Sequence, residues 1–391
     1  METHEKKKVG YLYSLDSLRG VAALLIFLHH IPPWYKPFAD IPIIANSNLM
    51  VELFFVLSGF VIFINYGLRL TAGKNVLAFL FLRLGRLYPV HFVLLILFAA
   101  LEILKFIFIS DSLIPPFSKN GIREFIENIT LTQALGFSNN AASFNSPSWS
   151  VSVELYTYVV FSLTIFIIGN RYAPVVFFII TVLATFLLAS HSSDIYGFRL
   201  ILRCLSGFFL GCLTALLYQH VKKRKYQRAS IYIAPSIVAV MALFLHVKSA
   251  DIMQYDYIFS LLTSILILVI ALSENNERTN LISPFFLLLG KLSYSLYMVH
   301  YLVIHIFGIW LYRYSAYSYP ASDPTRFSNG KNVVSLNFLQ AISVYSALIA
   351  VTFALSYAIH LWIERPFRIR SREFVSRLSG ADNLKPIVGK L

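Results

Sequence analysis

Long apolar runs separated by short polar segments dominate the chain. The runs extend for roughly 17–25 residues, the length that crosses a bilayer as an α-helix. They predict ten spans, at about residues 15–31, 48–66, 88–109, 148–169, 173–190, 198–218, 230–247, 256–273, 285–311 and 338–362. Backbone in lipid must satisfy its own hydrogen bonds, so the expected fold class is all-α, a polytopic membrane helical bundle. An even number of spans puts both termini on one side.

Polar residues interrupt these runs at particular places. In the first run Arg19 and His30 are eleven residues apart. At about 100° per residue they share a helix face, roughly 16 Å apart along the axis. Ionisable groups inside a membrane helix are costly and point to a site, although Arg19 snorkelling to one interface with His30 at the other is the plainer reading. Asp16 can pair with Arg19 three positions on, as a site or as a structural ion pair. Glu52 opens the second span, and Ser58-Gly59 is a small pair within it, which favours close helix packing at Gly59. Arg83 and Arg86 share a face before the third span, either to clamp phosphate oxygens or to set topology.

Further along, the fourth span opens with Trp149, Ser150, Glu154 and Tyr156, and a buried Glu154 needs a cation or a hydroxyl as partner. Arg203 lies deep in the sixth span and needs an acid or an anionic ligand, whereas Arg199 can snorkel. Ser293, Tyr297 and His300 form a polar stripe on the ninth span, with Lys291 at its edge. Glu364-Arg365 reads as an ion-paired exit.

Composition and charge agree with a membrane protein. The chain is 57% apolar and only 13% charged, against about 25% in soluble domains. A net charge of +14 raises the question of nucleic acid, but the placement of charge answers it. With the N-terminus inside, 21 basic residues fall in inner segments and seven in outer ones. The positive-inside rule therefore places both termini in the cytoplasm and leaves nucleic acid without a role. The resulting divisions are a basic leader at 1–14, a membrane domain at 15–365 and a basic tail at 366–391. The leader resembles the start of a signal peptide, but His29-His30-Ile31-Pro32-Pro33 replaces a cleavage site, so the first span is expected to be retained. The tail reads as a helix on the anionic inner leaflet. Two outer loops, 110–147 and 311–337, are long, and their aromatics suit either a membrane interface or sugar stacking. Cys204 and Cys212 read as packing residues, and no metal-ligand spacing of Cys or His is present.

Six pieces in order resemble the acyltransferase-3 family of bacterial integral-membrane O-acyltransferases, a likeness running from about Tyr13 to Phe367. They are Leu15 to Gly20 with the spacing to His30, Glu52 to Phe60, Arg83 to Pro89, Trp149 to Tyr156, Lys291 to His300, and Glu364-Arg365-Pro366. Position 52 is Glu where the family often has Asp. No hydrolase-like domain follows the last span, so the chain is expected to act alone or with a separate partner.

The resemblance implies acyl transfer, with acetyl expected, from cytoplasmic acyl-CoA to a hydroxyl of an envelope carbohydrate or glycolipid. It implies no permanently bound cofactor, acetyl-CoA as donor, and residence in the bacterial inner membrane among its lipids. It assigns catalysis to His30, Glu154 and Arg19, with His30 as general base or acyl carrier. Donor contacts fall to Arg19, Arg83, Arg86 and Lys291. Substrate or oxyanion contacts fall to Asp16, Glu52, Ser58, Trp149, Ser150, Tyr156, Arg203, Ser293, Tyr297 and His300. A transporter or flippase for a lipid-linked sugar is the alternative, though no pair of broken spans marks matching halves.

Overall fold

Each of the ten apolar runs forms a helix. The computed structural model describes residues 12–67, 69–108, 115–138, 140–190, 196–221, 230–246, 256–273, 283–318 and 335–379. The basic residues 6–8, 222–228 and 278, much of the second long loop and the end of the tail lie outside these. The helices are α1 (Tyr13–His30), α2 (Met50–Tyr66), α3 (Gly73–Phe108), α4 (Trp149–Ile168), α5 (Ala173–Ser190), α6 (Tyr196–Val221), α7 (Ser230–His246), α8 (Asp256–Ser273), α9 (Pro284–Ser318) and α10 (Phe338–Ile359). A π-helical turn, His360–Glu364, carries α10 into the basic helix α11 (Arg365–Ser379).

Eight of these, α2 to α6 and α8 to α10, are long and apolar enough to cross a membrane, against the ten spans expected. Asp16, Arg19, His29 and His30 lower the hydropathy of α1, and the apolar part of α7 is only Ile233–His246. The third element also starts earlier than expected. The helix starts at Gly73 and continues through Pro89, so α3 runs for 36 residues, about 54 Å. Arg83 and Arg86 therefore sit inside a helix rather than on a flank.

Glycines set the two tightest crossings. A Cβ on Gly20 would meet Leu289 and Gly290 at 2.6 Å, which locks α1 against α9. A Cβ on Gly59 would overlap the Phe208 carbonyl, and one on Gly211 the Val56 carbonyl, so α2 and α6 touch backbone to backbone. Helix α9 is the central rod, with residues 292–300 all buried. On the rim the side chains are apolar and exposed, as Phe186 and Ile167 show, which is the pattern lipid requires.

The loop expected at 110–147 turns inward over its described residues. It forms a short helix, Ile122–Ile129, and returns against α3 and α9. Tyr88 Oη donates to the Ile129 carbonyl at 3.0 Å, and Asn145 Nδ2 donates to the Met298 carbonyl at 3.0 Å. Asn128, Gln133 and Asn145 are buried. Irregular backbone survives at such depth only when protein encloses it.

Helix α11 rests on α3 rather than lying free. The Phe374 ring packs tilted against Phe81 with centroids 5.1 Å apart, and Ser371 fills the space a side chain at position 85 would need. Phe367 and Ile369 remain exposed on its other side.

Candidate active site

A cavity lies between α1, α2, α3, α4 and α9. Eight of the residues singled out in the sequence line it: Arg19, Ser58, Arg83, Arg86, Ser150, Glu154, Ser293 and Tyr297. They come from five helices, so the wall depends on the crossings that Gly20 and Gly59 permit.

Arginines mark one end of the cavity. Arg83 is 5% exposed, and its Nη2 donates to Tyr66 Oη at 3.1 Å. Its guanidinium lies over the Tyr66 ring at 5.1 Å and the Phe79 ring at 5.7 Å. The Nε of Arg83 is buried without a hydrogen-bond partner. A buried donor left unpaired on a charged group is costly, so the site favours an anionic oxygen there. Arg19 and Arg86 stand within electrostatic reach of one another, with Asp16 and Glu154 as counter-charges to Arg19.

Glu154 holds the middle of the cavity. Its Oε1 accepts from Ser58 Oγ at 2.6 Å and from Tyr158 Oη at 2.5 Å, and the two hydroxyl oxygens lie 2.8 Å apart. Two hydroxyls, from α2 and α4, therefore converge on one carboxylate oxygen. Beyond them Ser150 Oγ donates to Tyr297 Oη at 2.9 Å, and Tyr297 Oη donates to the Pro147 carbonyl at 3.0 Å.

His30 does not line the cavity. Tyr297 and His300 stand between, with ring centroids 6.0 Å apart, and His300 to His30 is a further 5.0 Å. The hydrogen bonds around the pair fit one arrangement of protons. His300 Nδ1 lies 3.1 Å from the Leu296 carbonyl, which can only accept, so Nδ1 carries the proton and Nε2 the lone pair. His30 Nδ1 is 3.3 Å from that Nε2 and 2.9 Å from the Ile26 carbonyl, two acceptors. His30 Nδ1 is then protonated, and its Nε2 keeps the lone pair of a base. His29 Nδ1 faces the Ile44 carbonyl at 3.0 Å instead.

Glu52 and Arg203 belong to a separate buried network. Arg203 Nε donates to Glu52 Oε1 at 2.6 Å and lies 3.3 Å from Asp256 Oδ2, to which Arg199 Nη2 donates at 2.8 Å. Ser260 Oγ donates to Glu52 Oε2 at 3.3 Å. The Arg203 guanidinium covers the Trp149 ring at 5.1 Å, tying the network to the start of α4. Asp256 was not singled out in the sequence because it begins a span and looks like a boundary residue. Tyr156 Oη donates to the Thr130 carbonyl and holds the inward loop. Asp16 is half-buried and lies outside the lining, and Lys291 is exposed and also outside it. Tyr66, Tyr158 and Tyr294 are further site residues that sequence reasoning missed, since a tyrosine in a membrane helix is ordinarily an interface residue.

Comparison with known proteins bears on this arrangement. Residues 12–361 match a family model described as an acyltransferase domain. Over 343 residues the chain is 26% identical to the O-acetyltransferase OatA of Staphylococcus aureus strain NCTC 8325, covering 78% of this chain and 53% of the relative. It is 36% identical over 161 residues to protein 2 in the picA locus of Rhizobium radiobacter, covering 38% of this chain and 79% of that one. The chain thus spans about half the length of the OatA sequence it matches. No solved structure matches it.

Proposed function

We propose, because the chain belongs to this acyltransferase family, that it is an integral-membrane O-acyltransferase moving an acetyl group from acyl-CoA to a hydroxyl of an envelope carbohydrate or similar acceptor. The observation that carries the proposal is the cavity itself. Arginines crowd one end, and Ser150 and Tyr297 close the other on the path to the base His30. The orientation expected from charge places the arginine end in the cytoplasm, where acyl-CoA is made.

The donor's phosphates meet Arg83 and Arg86, paired charge-assisted donors suited to phosphate oxygens. The pantetheine arm passes Ser58 and Glu154, so the thioester reaches Ser150 and Tyr297. The Ser150 hydroxyl serves as a donor to the oxyanion formed at the carbonyl. Tyr297 turns aside so that an acceptor from the opposite side can reach the thioester. The acceptor oxygen attacks the acyl carbon while its proton passes to His30 Nε2. The C–S bond breaks, and the coenzyme A thiolate leaves with that proton. His300 keeps His30 in the required tautomer throughout.

The test is the purified chain with labelled acetyl-CoA and a carbohydrate acceptor. Transfer is expected to fall by about 10²–10⁴-fold in His30→Ala, the usual worth of a general base. Wild-type rates in that variant would remove His30 from the reaction. A missing acetyl increment on envelope glycans of cells lacking the protein would identify the acceptor.

A further inference from the structure

We infer that Phe54 closes the acyl end of the cavity and limits the transferred group to acetyl size, so that α2 carries the residue that selects acyl length. The inference rests on the donor reading above and adds to it a residue that the reaction itself does not use.

The way α2, α4 and α9 meet supports it. From Met50 to Phe60 every residue is buried except Phe54 and Ser58, and both line the cavity. They are four residues apart and share one face of α2. Ser58 joins Glu154 of α4 at 2.6 Å. Phe54 and Ser150 each lie four residues before that junction, one helical turn or about 6 Å along. Tyr297 of α9 touches both. Its hydroxyl accepts from Ser150 Oγ at 2.9 Å, and its ring meets the Phe54 ring in a T-shape with centroids 5.8 Å apart. Phe54 therefore stands at the level of Ser150, where the thioester carbonyl is proposed to rest.

The wall beside that level is hydrocarbon. Val51, one turn further along the same face of α2, and Val151, next to Ser150, line the cavity with Phe54. None of the three side chains offers a hydrogen bond, which suits an acyl tail rather than a polar group. The neighbouring Phe55 is held elsewhere, 2% exposed, with its ring against Trp149 at 6.0 Å and its Cβ against Gly207. With the carbonyl on the Ser150 hydroxyl, the acyl methyl lies against the Phe54 ring. Each further methylene must displace that ring or draw the carbonyl away from Ser150.

Full-length wild type, Phe54→Ala, Phe54→Leu and the lipid-facing control Phe186→Ala are placed in phosphatidylcholine nanodiscs. Binding of coenzyme A and of its acetyl, propionyl and butyryl thioesters is measured by calorimetry, with thermal melting as the check on folding. Wild type is expected to bind the acetyl thioester tightest and to lose about tenfold for each added methylene. Phe54→Ala should bring the butyryl thioester within about threefold of the acetyl one while leaving coenzyme A unchanged. Phe54→Leu should fall between the two, and Phe186→Ala should keep the wild-type order. Equal binding of acetyl and butyryl thioesters by wild type overturns the inference, as does a wild-type order in a folded Phe54→Ala. A Phe54→Ala variant that weakens all four ligands equally also overturns it, since Phe54 would then press on the pantetheine arm. Should Phe54→Ala not fold, a wild-type order in Phe54→Leu counts against it in the same way. Failure of the donor reading looks different, because wild type would then bind none of the four.

Discussion

Cutting one charge out of the Glu52–Arg203–Asp256–Arg199 network should cost more stability than any other single polar change in the bundle. The network holds two cations and two anions, and Glu52, Arg203 and Asp256 are 1%, 6% and 2% exposed. Glu52→Ala removes the carboxylate bonded to Arg203 at 2.6 Å and leaves its guanidinium with one acid, Asp256, which Arg199 already holds at 2.8 Å. Stranding a buried charge in this way costs about 3–5 kcal/mol. Glu52→Gln keeps an acceptor and the shape, so it should cost less, nearer the ~1–3 kcal/mol of a weakened charged hydrogen bond. Removing both partners relieves the stranded charge. Glu52→Gln combined with Arg203→Met should therefore be more stable than Glu52→Ala alone, with a coupling energy of about 2 kcal/mol or more in a double-mutant cycle. The assay is unfolding in detergent, followed by helical circular dichroism or accessibility of the buried Cys204 and Cys212. Additive effects, with coupling near zero, would refute the claim that these residues stabilise as a closed set. Trp149 gives a second readout, because Arg203 covers its ring and loss of the pair should shift its fluorescence.

Two further outcomes follow from single contacts. Gly59→Ala must push α2 off α6, because the new methyl would overlap the Phe208 carbonyl; a loss of about 3 kcal/mol or outright misfolding is expected, read as aggregation on heating in detergent. His300→Ala removes the acceptor that fixes the His30 tautomer, so acyl transfer should fall by about tenfold with donor binding unchanged, and His300→Gln should recover part of it; a drop in donor affinity instead would place His300 in the binding wall.

The apolar runs made the helices legible because lipid forces one local solution on each of them. The start of α3 was not legible for the same reason in reverse. Lys74, Arg83 and Arg86 look like a flank to any count of hydropathy, yet the helix runs through them and on through Pro89. Eight cavity residues were visible as polar interruptions, since each is expensive in hydrocarbon and needs a reason. Their partners were harder to see. Asp256 and Arg203 are far apart in sequence, and Tyr158 looks like an ordinary aromatic until it bonds to Glu154. The docking of α11 on α3 depends on Gly85, whose empty side chain says nothing until Ser371 occupies the space. Similarly, the polar segment before α4 reads as an outer loop, and only the bonds from Tyr88 and Asn145 show that it folds inward.

The two glycine crossings also determine how this bundle can breathe. With α1 welded to α9 and α2 welded to α6, neither pair can part without tearing backbone from backbone. Any widening of the cavity must open along the seam between the welded pairs. Beside the cavity a separate latch ties α4 to α9, the hydroxyl of Ser150 on the phenol of Tyr297. Turnover should therefore be paced by how often that latch lifts.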